Sequence, residues 1–149
     1  MSSVAPGSTM SRVTEHYTLR LAPGMRQRLA DGARRNGLVE RALARRYIEE
    51  GLRHDSHPLI VFLDGPSGRR ASLVGRGLDV WEVIATIRDN DGSIAVTAEY
   101  MGVAAGLVDA AVAYYGEFRD EIDAEIALNE AEYMRSRTAT MAGERALRG

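Results

Sequence analysis

The chain has 149 residues, 45% of them apolar, which is enough for one ordinary domain or two small ones and argues against global disorder. It has no cysteine, which excludes disulfides, thiolate zinc sites and a cysteine nucleophile. No apolar run approaches the roughly 20 residues of a membrane-spanning helix, and the N-terminus lacks a signal-peptide core. We therefore expect a cytoplasmic protein that does not enter a membrane.

Charge is distributed unevenly along the chain, although its net value is only -2. Residues 1–57 carry ten Arg against six acids, residues 58–134 five against fourteen, and residues 135–149 four against one. Every basic residue is Arg, a bias that either phosphate recognition or a GC-rich genome would produce. Basic N-terminal and C-terminal segments on either side of an acidic middle segment indicate that the N-terminal segment binds a polyanion.

The N-terminal third reads as an arm, a strand and two helices. Residues 1–12 are rich in Ser, Gly and Pro, which predicts a flexible arm. From Val13 to Leu21 apolar and polar residues alternate, apart from Glu15, as in a half-buried strand. A first helix should end at Asn36-Gly37, and a second should span Leu38 to His54.

One strand and two short helices cannot enclose a core, so residues 13–55 should need a second copy. Antiparallel pairing of two such strands makes a ribbon whose outer face carries His16, Thr18 and Arg20 from each copy. A two-stranded ribbon of this kind fits the major groove of DNA. A dimerisation ribbon with an arginine-rich, solvated surface is the alternative.

The stretch HYTLRLAPGMRQRLADGARRNGLVERALARRYIEEGL resembles the ribbon-helix-helix domains of small repressors and VapB-type antitoxins. The resemblance implies that the polar strand residues read bases, while backbone amides near Val39 and Glu40 clamp a phosphate. The usual Ser or Thr cap is absent, since Leu38-Val39 stands there, so helix amides alone would form the clamp. The expected DNA-binding residues are His16, Thr18, Arg20, Val39, Glu40, Arg41 and Arg45.

A second domain is predicted over residues 58–134. Two strands, 59–63 and 69–74, read as a hairpin, and Asp79 is a good cap for a helix that ends at Asp91-Gly92. A short helix capped by Ser93, a turn at Met101-Gly102-Val103 and a long helix from Ala104 then give the outline of a helix-turn-helix. The start of the last helix, AAGLVD, has no Arg, Asn or Gln to read bases, so we expect this domain to pack rather than bind DNA.

The segment GRRASLVGRGLDVWEVIATIRDNDGSIAVTAEYMGVAAGLVDAAVAYYGEF is similar to small antitoxin-associated domains of uncharacterised function. The residues that match the entry pattern are Val74, Gly75, Gly77, Leu78, Val80 and Trp81. Those that match the final helix are Val108, Ala110, Ala111, Ala113, Tyr114 and Tyr115. Together the two resemblances imply the antitoxin of a VapBC-type pair, whose toxin is a PIN-like ribonuclease.

The tail, residues 135–149, holds scattered apolar residues and four Arg, too little for a core of its own. It is either a frayed terminus or a toxin-binding arm. PIN-like nucleases hold metal in a carboxylate cluster, which an inserted arginine could pair with. The expected toxin-binding residues are Met134, Arg137, Met141, Arg145 and Leu147.

Other chemistry finds little support. His54 and His57 have no further His or Cys to complete a metal site, and a linker is a common place for solvated histidines. The acidic residues Glu121, Asp123, Glu125, Glu130 and Glu132 are expected on the solvated face of a long helix. No nucleophile and base combine into a catalytic arrangement. We therefore expect no catalytic residue, no metal and no cofactor.

The combined expectation is a mainly α protein with short β segments: a ribbon-helix-helix segment, a small hairpin and helix-turn-helix domain of three helices, and a long C-terminal helix. Its function would be to neutralise a PIN-like ribonuclease toxin and to repress its own operon as a homodimer on double-stranded operator DNA. Higher oligomers stay open. The alternative function is a stand-alone dimeric transcriptional regulator without a toxin.

Overall fold

A computed structural model of the chain describes residues 15–149. The arm expected over residues 1–12 and the first two residues of the expected strand lie outside this range. Residues 15–149 form six helices and one antiparallel hairpin, so the predicted mainly α class with short β segments is confirmed. The elements are α1 (Met25–Arg35), α2 (Glu40–Ser56), β1 (Ile60–Gly65), β2 (Gly68–Leu73), α3 (Val80–Asp89), α4 (Ile94–Met101), α5 (Ala105–Glu117) and α6 (Arg119–Arg148).

The elements belong to two compact units that divide between Arg45 and Arg46, within α2. The sequence had placed this division after the second helix, between residues 55 and 58. The C-terminal half of α2 belongs to the second unit because its side chains are bonded there. Arg53 donates to Tyr114 at 2.6 Å, and Arg69 donates to Glu50 at 2.7 Å.

In the first unit, a left-handed turn at Gly37 joins α1 to α2. Gly37 has φ 64°, and its N–H donates to the Arg34 carbonyl at 3.2 Å. The Leu38 N–H donates to the Ala33 carbonyl at 2.9 Å. These two bonds are the usual closure of a helix that a glycine follows. The predicted Asn-Gly stop is therefore confirmed, and α2 begins at Glu40, slightly after the predicted start.

The first unit buries few apolar side chains. Among residues 15–45 the only buried side chains are those of Ala33 and Leu43, at 2% and 0% exposure, beside the buried backbone of Gly32. Residues 15–22 are exposed and form no regular secondary structure. The strand predicted over Val13 to Leu21 requires pairing with a second copy of the chain, so it stays a prediction.

The second unit begins with the hairpin, in which Ile60 pairs with Leu73 and Gly65 pairs with Gly68. Gly68 has φ 112°, a conformation that glycine adopts readily and other residues rarely. After the hairpin, the Asp79 N–H donates to the Glu82 carboxylate at 2.8 Å where α3 begins. The predicted hairpin and the predicted start of α3 at Asp79 are both confirmed, with strand ends shifted by one or two residues.

Three short breaks set the directions of the last three helices. Asp91 and Gly92, with φ of 53° and 81°, end α3, and the Ser93 side chain then accepts from the Val96 N–H at 3.2 Å. Gly102, with φ 65°, separates α4 from α5, and the two helices bend by 119°. The helix expected from Ala104 ends before Phe118, where the chain leaves the helical region.

The helices α3 to α6 and one face of the hairpin enclose a common core. Its buried members are Ile60, Ala71, Leu73, Val80, Val83, Ile84, Ala98, Val108, Ala111, Tyr114, Ile122 and Ile126. Helix α6 contributes to this core only through its first turns. All residues from 131 to 149 are exposed.

Helix α6 continues without a break through the boundary predicted between residues 134 and 135. Residues 135–148 are therefore a helical extension of the second unit, and their role as a toxin-binding arm stays a prediction. Thr138 and Thr140 donate to backbone carbonyls four residues earlier, at 2.9 and 3.0 Å, which keeps these side chains compatible with the helix.

No single helix among residues 15–149 has the length and apolar character needed to cross a membrane. Helices α4 and α5 reach that length and apolar character only when the two are counted together, and a bend of 119° separates them.

Ile122 anchors α6 in the core, since its side chain is fully buried, whereas Leu128 on the same helix is 44% exposed. Ile122→Ala should lower the free energy of unfolding by about 2–5 kcal/mol, because a buried aliphatic side chain is replaced by a cavity. Leu128→Ala is the matched control and should cost far less. Urea unfolding followed by circular dichroism measures both. Equal losses in the two variants would contradict the assigned packing of α6.

Candidate DNA-binding and partner-binding surfaces

The residues predicted to read DNA bases lie in the exposed segment before α1. His16, Thr18 and Arg20 are all exposed there. They alternate along the chain with Tyr17 and Leu19, which are apolar and yet 83% and 59% exposed. Within residues 15–149, none of the three polar side chains has a hydrogen bond or an ion pair to α2. Their convergence on one surface depends on the predicted ribbon.

The residues predicted to contact phosphate surround the start of α2. Val39, directly before the helix, is 72% exposed, and the first N–H groups of a helix have no intrahelical acceptor. A shallow groove of about 620 Å³ opens beside them, lined by Arg26, Leu29, Val39, Glu40, Arg41 and Ala44. Arg26 lies 3.8 Å from the Glu40 carboxylate and partly offsets its negative charge. The structure thus brings Val39, Glu40 and Arg41 together.

Arg41 and Arg45 are exposed on the first turns of α2, and neither has an ion-pair partner among residues 15–149. One helical turn separates them, so both guanidinium groups extend from the same side of the helix. Arginine pairs with phosphate through two parallel hydrogen bonds, which an unoccupied guanidinium can offer. Both lie on the helix whose first amides are the predicted phosphate clamp.

The residues predicted to bind a toxin lie on the exposed extension of α6. Met134 and Met141 are 60% and 50% exposed. With 3.6 residues per turn, both fall on one face of the helix, with Arg145 on the same face and Arg137 beside it. Leu147 is 89% exposed but lies on a different side. The helix therefore gathers four of the five predicted residues and separates Leu147 from them.

Arg53 occupies a central position that the sequence did not indicate. Its guanidinium lies 4.0 Å from the centre of the Phe118 ring, donates to the Tyr114 hydroxyl at 2.6 Å and meets both Glu121 oxygens at 2.9–3.0 Å. Burial lowers the pKa of Arg53, but its hydrogen bonds outweigh that effect and the net shift is upward. Burial and the charge of Glu121 raise the pKa of Tyr114 to about 12. Both side chains therefore keep their protons across physiological pH.

A buried polar cluster joins the hairpin to the start of α3. The Asp79 carboxylate accepts from Arg70 and Ser72, and from the Trp81 indole N–H at 3.2 Å. Ser72 is fully buried and Asp79 is 7% exposed. The Nη1 atom of Arg70 and the Oε2 atom of Glu125 are buried without a hydrogen-bond partner in the described part of the chain.

The acidic residues of α6 are not all solvated, contrary to the sequence-based expectation. Glu121 is bound to Arg53, and Asp123 accepts from Arg88 at 2.6 Å, a hydrogen bond that lowers the Asp123 pKa. Burial, with the negative charges of Glu121 and Asp79, raises the pKa of Glu125 to about 7, while Arg70 acts in the opposite direction. Composition did not reveal this environment, because it combines burial with charged groups from β2, from the residue before α3 and from α6.

The two histidines differ in exposure: His54, near the end of α2, is exposed as the sequence suggested, whereas His57 is half-buried. His54 Nδ1 lies 3.0 Å from the Ile60 carbonyl. The His57 ring packs edge-on against Tyr114 and Phe118, at 5.2 and 6.2 Å between ring centres, and its Nε2 is 3.2 Å from Glu117. Residues 15–149 contain no group of three or more side chains suited to a metal ion. The His57 ring therefore serves the packing of the second unit, while His54 makes a contact with a backbone carbonyl near the surface.

Glu125 should make the stability of the second unit depend on pH. Its folded-state pKa of about 7 lies above the ordinary glutamate value of roughly 4.3, so folding favours the protonated form. Its contribution is complete below that ordinary value and is lost as pH rises through about 7. Glu125→Gln should therefore flatten the decline in the free energy of unfolding between about pH 5 and about pH 8.

Urea unfolding over a series of pH values measures this slope. Glu132→Gln is the matched control, because the Glu132 side chain is 63% exposed and should leave the wild-type slope unchanged. An identical slope in wild type and Glu125→Gln would show that this carboxyl titrates as it does in water.

Comparison with known proteins adds no assignment to these surfaces. No protein-family model matches the chain, and neither a curated protein nor a solved structure matches it. The function proposed for the protein rests on its own residues and their arrangement.

Proposed function

We propose that the chain is the antitoxin of a type II toxin–antitoxin pair. It acts in the cytoplasm as a homodimer, binds its operator through a ribbon-helix-helix formed by residues 13–55, and neutralises a PIN-like ribonuclease through the exposed extension of α6. It requires no metal or cofactor, and it catalyses no reaction itself.

The observation that carries this proposal is the unclosed interior of the first unit. Tyr17 and Leu19 are largely exposed, while the side chains of Ala33 and Leu43 are the only ones buried among residues 15–45. Apolar side chains cover each other when a second copy supplies a paired strand and two more helices. A ribbon-helix-helix segment is expected to have an incomplete core alone and to complete it by pairing with a second copy.

Pairing of the two strands would direct their side chains to opposite faces of a ribbon. The face with Tyr17, Leu19 and Leu21 would cover the helices, and the face with His16, Thr18 and Arg20 would point outward. Arginine can donate two hydrogen bonds to a guanine edge in the major groove, and threonine can contact a base or a methyl group. The α2 amides and Arg41 would meet the adjacent phosphates and fix the register.

The toxin-binding part of the proposal rests on the α6 extension. A helix with an exposed apolar face can lie in a hydrophobic groove of a partner. Met134 and Met141 offer flexible apolar side chains for such a groove. Arg137 and Arg145, on or beside the same face, carry the positive charge that a cluster of metal-binding carboxylates would attract. The helical form fixes the spacing of these groups before any partner binds.

Arg20→Ala should weaken binding to operator DNA, because each copy loses a two-bond contact with a base. We expect a loss of about 1–3 kcal/mol in binding free energy for each contact, with little change in the free energy of unfolding. Arg76→Ala, which removes the same charge from the second unit, is the matched control. Fluorescence anisotropy with the promoter DNA of the chain's own operon measures both affinities.

The strand-reading model would be wrong if Arg20→Ala bound the operator as tightly as wild type while Arg41→Ala and Arg45→Ala abolished binding. That result would assign DNA recognition to α2 alone.

A chain that ends at Tyr133 should fail to neutralise the toxin while it still binds operator DNA. The truncation removes the exposed helix but none of the buried residues of the second unit. Co-expression of the toxin, the nuclease expected from the adjacent reading frame, with full-length or truncated chain gives the growth readout. Full protection by the truncated chain would move the toxin-binding surface to the body of the second unit.

In the full-length chain, Arg137→Glu combined with Arg145→Glu should have the same effect as the truncation. Arg135→Glu, an equal charge change on another side of α6, is the control and should keep protection. If the adjacent reading frame encodes no nuclease and expression of its product is harmless, the stand-alone regulator replaces the antitoxin.

A further inference from the structure

Helix α6 carries an exposed stripe that its own unit does not cover. The stripe consists of Ala124, Ala127, Ala131, Met134, Thr138, Met141 and Arg145, all of them exposed. It lies on a different side of the helix from Ile122 and Ile126, which are buried in the core. The stripe is therefore free along both the packed and the projecting part of α6.

The spacing of the stripe alternates between three and four residues. Such a repeat, with seven residues for every two turns, is the pattern of helices that pack along each other as a coiled coil. Here it continues over three heptads, in the a and d positions. Most of its members are small, which lets two helix backbones approach closely.

We infer that α6 pairs antiparallel with α6 of a second copy of this chain, in the register that places Ala131 opposite Met134 of the other copy. In the same register Ala124 lies opposite Met141, and Ala127 lies opposite Thr138. Each methionine therefore meets an alanine, so large and small side chains alternate across the seam.

Charge complementarity selects this register. It places Asp120 opposite Arg145 of the second copy, and Glu130 beside Arg137 of the second copy. Each pair occurs twice because the arrangement is symmetric. The one like-charged pair, Asp123 with Glu144, is moderated because Asp123 is bound to Arg88 at 2.6 Å in its own chain.

Parallel pairing is less favourable for the same residues. It would place Arg145 opposite Arg145, and methionine opposite methionine at two levels of the seam. An antiparallel shift by one heptad, with Ala131 opposite Met141, would set Glu130 against Glu144 and Arg137 against Arg137. Like charges at these flanking positions oppose association, so both alternatives are disfavoured.

Disulfide trapping in the full-length chain tests the pairing without toxin or DNA, so its outcome is independent of the proposed function. The chain has no cysteine, so only the introduced thiols can react. Ala124→Cys and Met141→Cys are placed in separate chains with tags of different length, and the two chains are co-expressed, purified and oxidised. Denaturing gels then separate the mixed pair from the two self-pairs.

We expect a disulfide between the Ala124→Cys and Met141→Cys chains, and none within either self-pair. Thr140→Cys, next to Met141 but on another side of the helix, is the matched control and should give no disulfide with Ala124→Cys. Self-linked Ala124→Cys would indicate parallel helices and overturn the inference. The absence of a mixed disulfide would also overturn it.

A charge exchange tests the register. Glu130→Arg alone and Arg137→Glu alone should each remove most of the mixed disulfide, because each variant sets two like charges side by side. The double variant, with both exchanges in every chain, should restore it. The two residues are seven positions apart on one helix, too far for direct contact within a chain, so rescue requires contact between copies. Failure of the double variant to restore the disulfide would overturn the register.

Discussion

The guanidinium of Arg53 lies against Phe118, where α5 ends and α6 begins, and it binds both oxygens of Glu121. These contacts hold the C-terminal half of α2 on the second unit and fix the helix break beside the first turn of α6. The neighbouring Tyr114 hydroxyl accepts a hydrogen bond from the same guanidinium while its ring lies fully buried in the core. Arg53 therefore combines an ion pair, a contact with an aromatic ring and a hydrogen bond to a core residue. A neutral side chain here would leave Glu121 without its partner and Tyr114 without its donor, a loss that no single remaining contact offsets.

The two units of the chain differ in how they pair their charged side chains and bury their apolar ones. The second unit pairs several of its charges internally, as Arg70 does with Asp79 and Arg88 with Asp123. The first unit leaves apolar side chains in solvent and keeps Arg41 and Arg45 without ion-pair partners within residues 15–149. Exposed apolar groups favour association with a matching surface, and unpaired arginines favour a polyanion. The acidic middle segment and the basic N-terminal segment of the sequence thus correspond to a self-contained unit and a unit whose side chains are available to partners.

Local signals in the sequence predicted most of the fold. Asn36-Gly37, Asp79, Asp91-Gly92 and Ser93 each mark a helix end in the structure, because backbone conformation and capping depend on neighbouring residues. Features that depend on distant residues were not predictable in this way. The raised pKa of Glu125 requires its burial and the nearby charges of Glu121 and Asp79, and the division inside α2 requires Arg53 to reach Glu121. The site residues were predicted from position in a motif, so the sequence could select His16, Thr18 and Arg20 but not their geometry, which in the proposed ribbon depends on a second copy.

Helix α6 offers the same side chains to two occupants. Met134, Met141 and Arg145 form part of the seam inferred between two copies, and they also belong to the surface proposed for a toxin. Both occupants cannot cover one face of one helix at the same time. A toxin would therefore have to displace the second α6, and its net affinity would be its contact energy reduced by the free energy of the helix pair. Pairing of α6 would in turn keep its methionines out of solvent whenever the toxin is absent. The exchange is possible only where the toxin's contact energy exceeds the free energy of the helix pair.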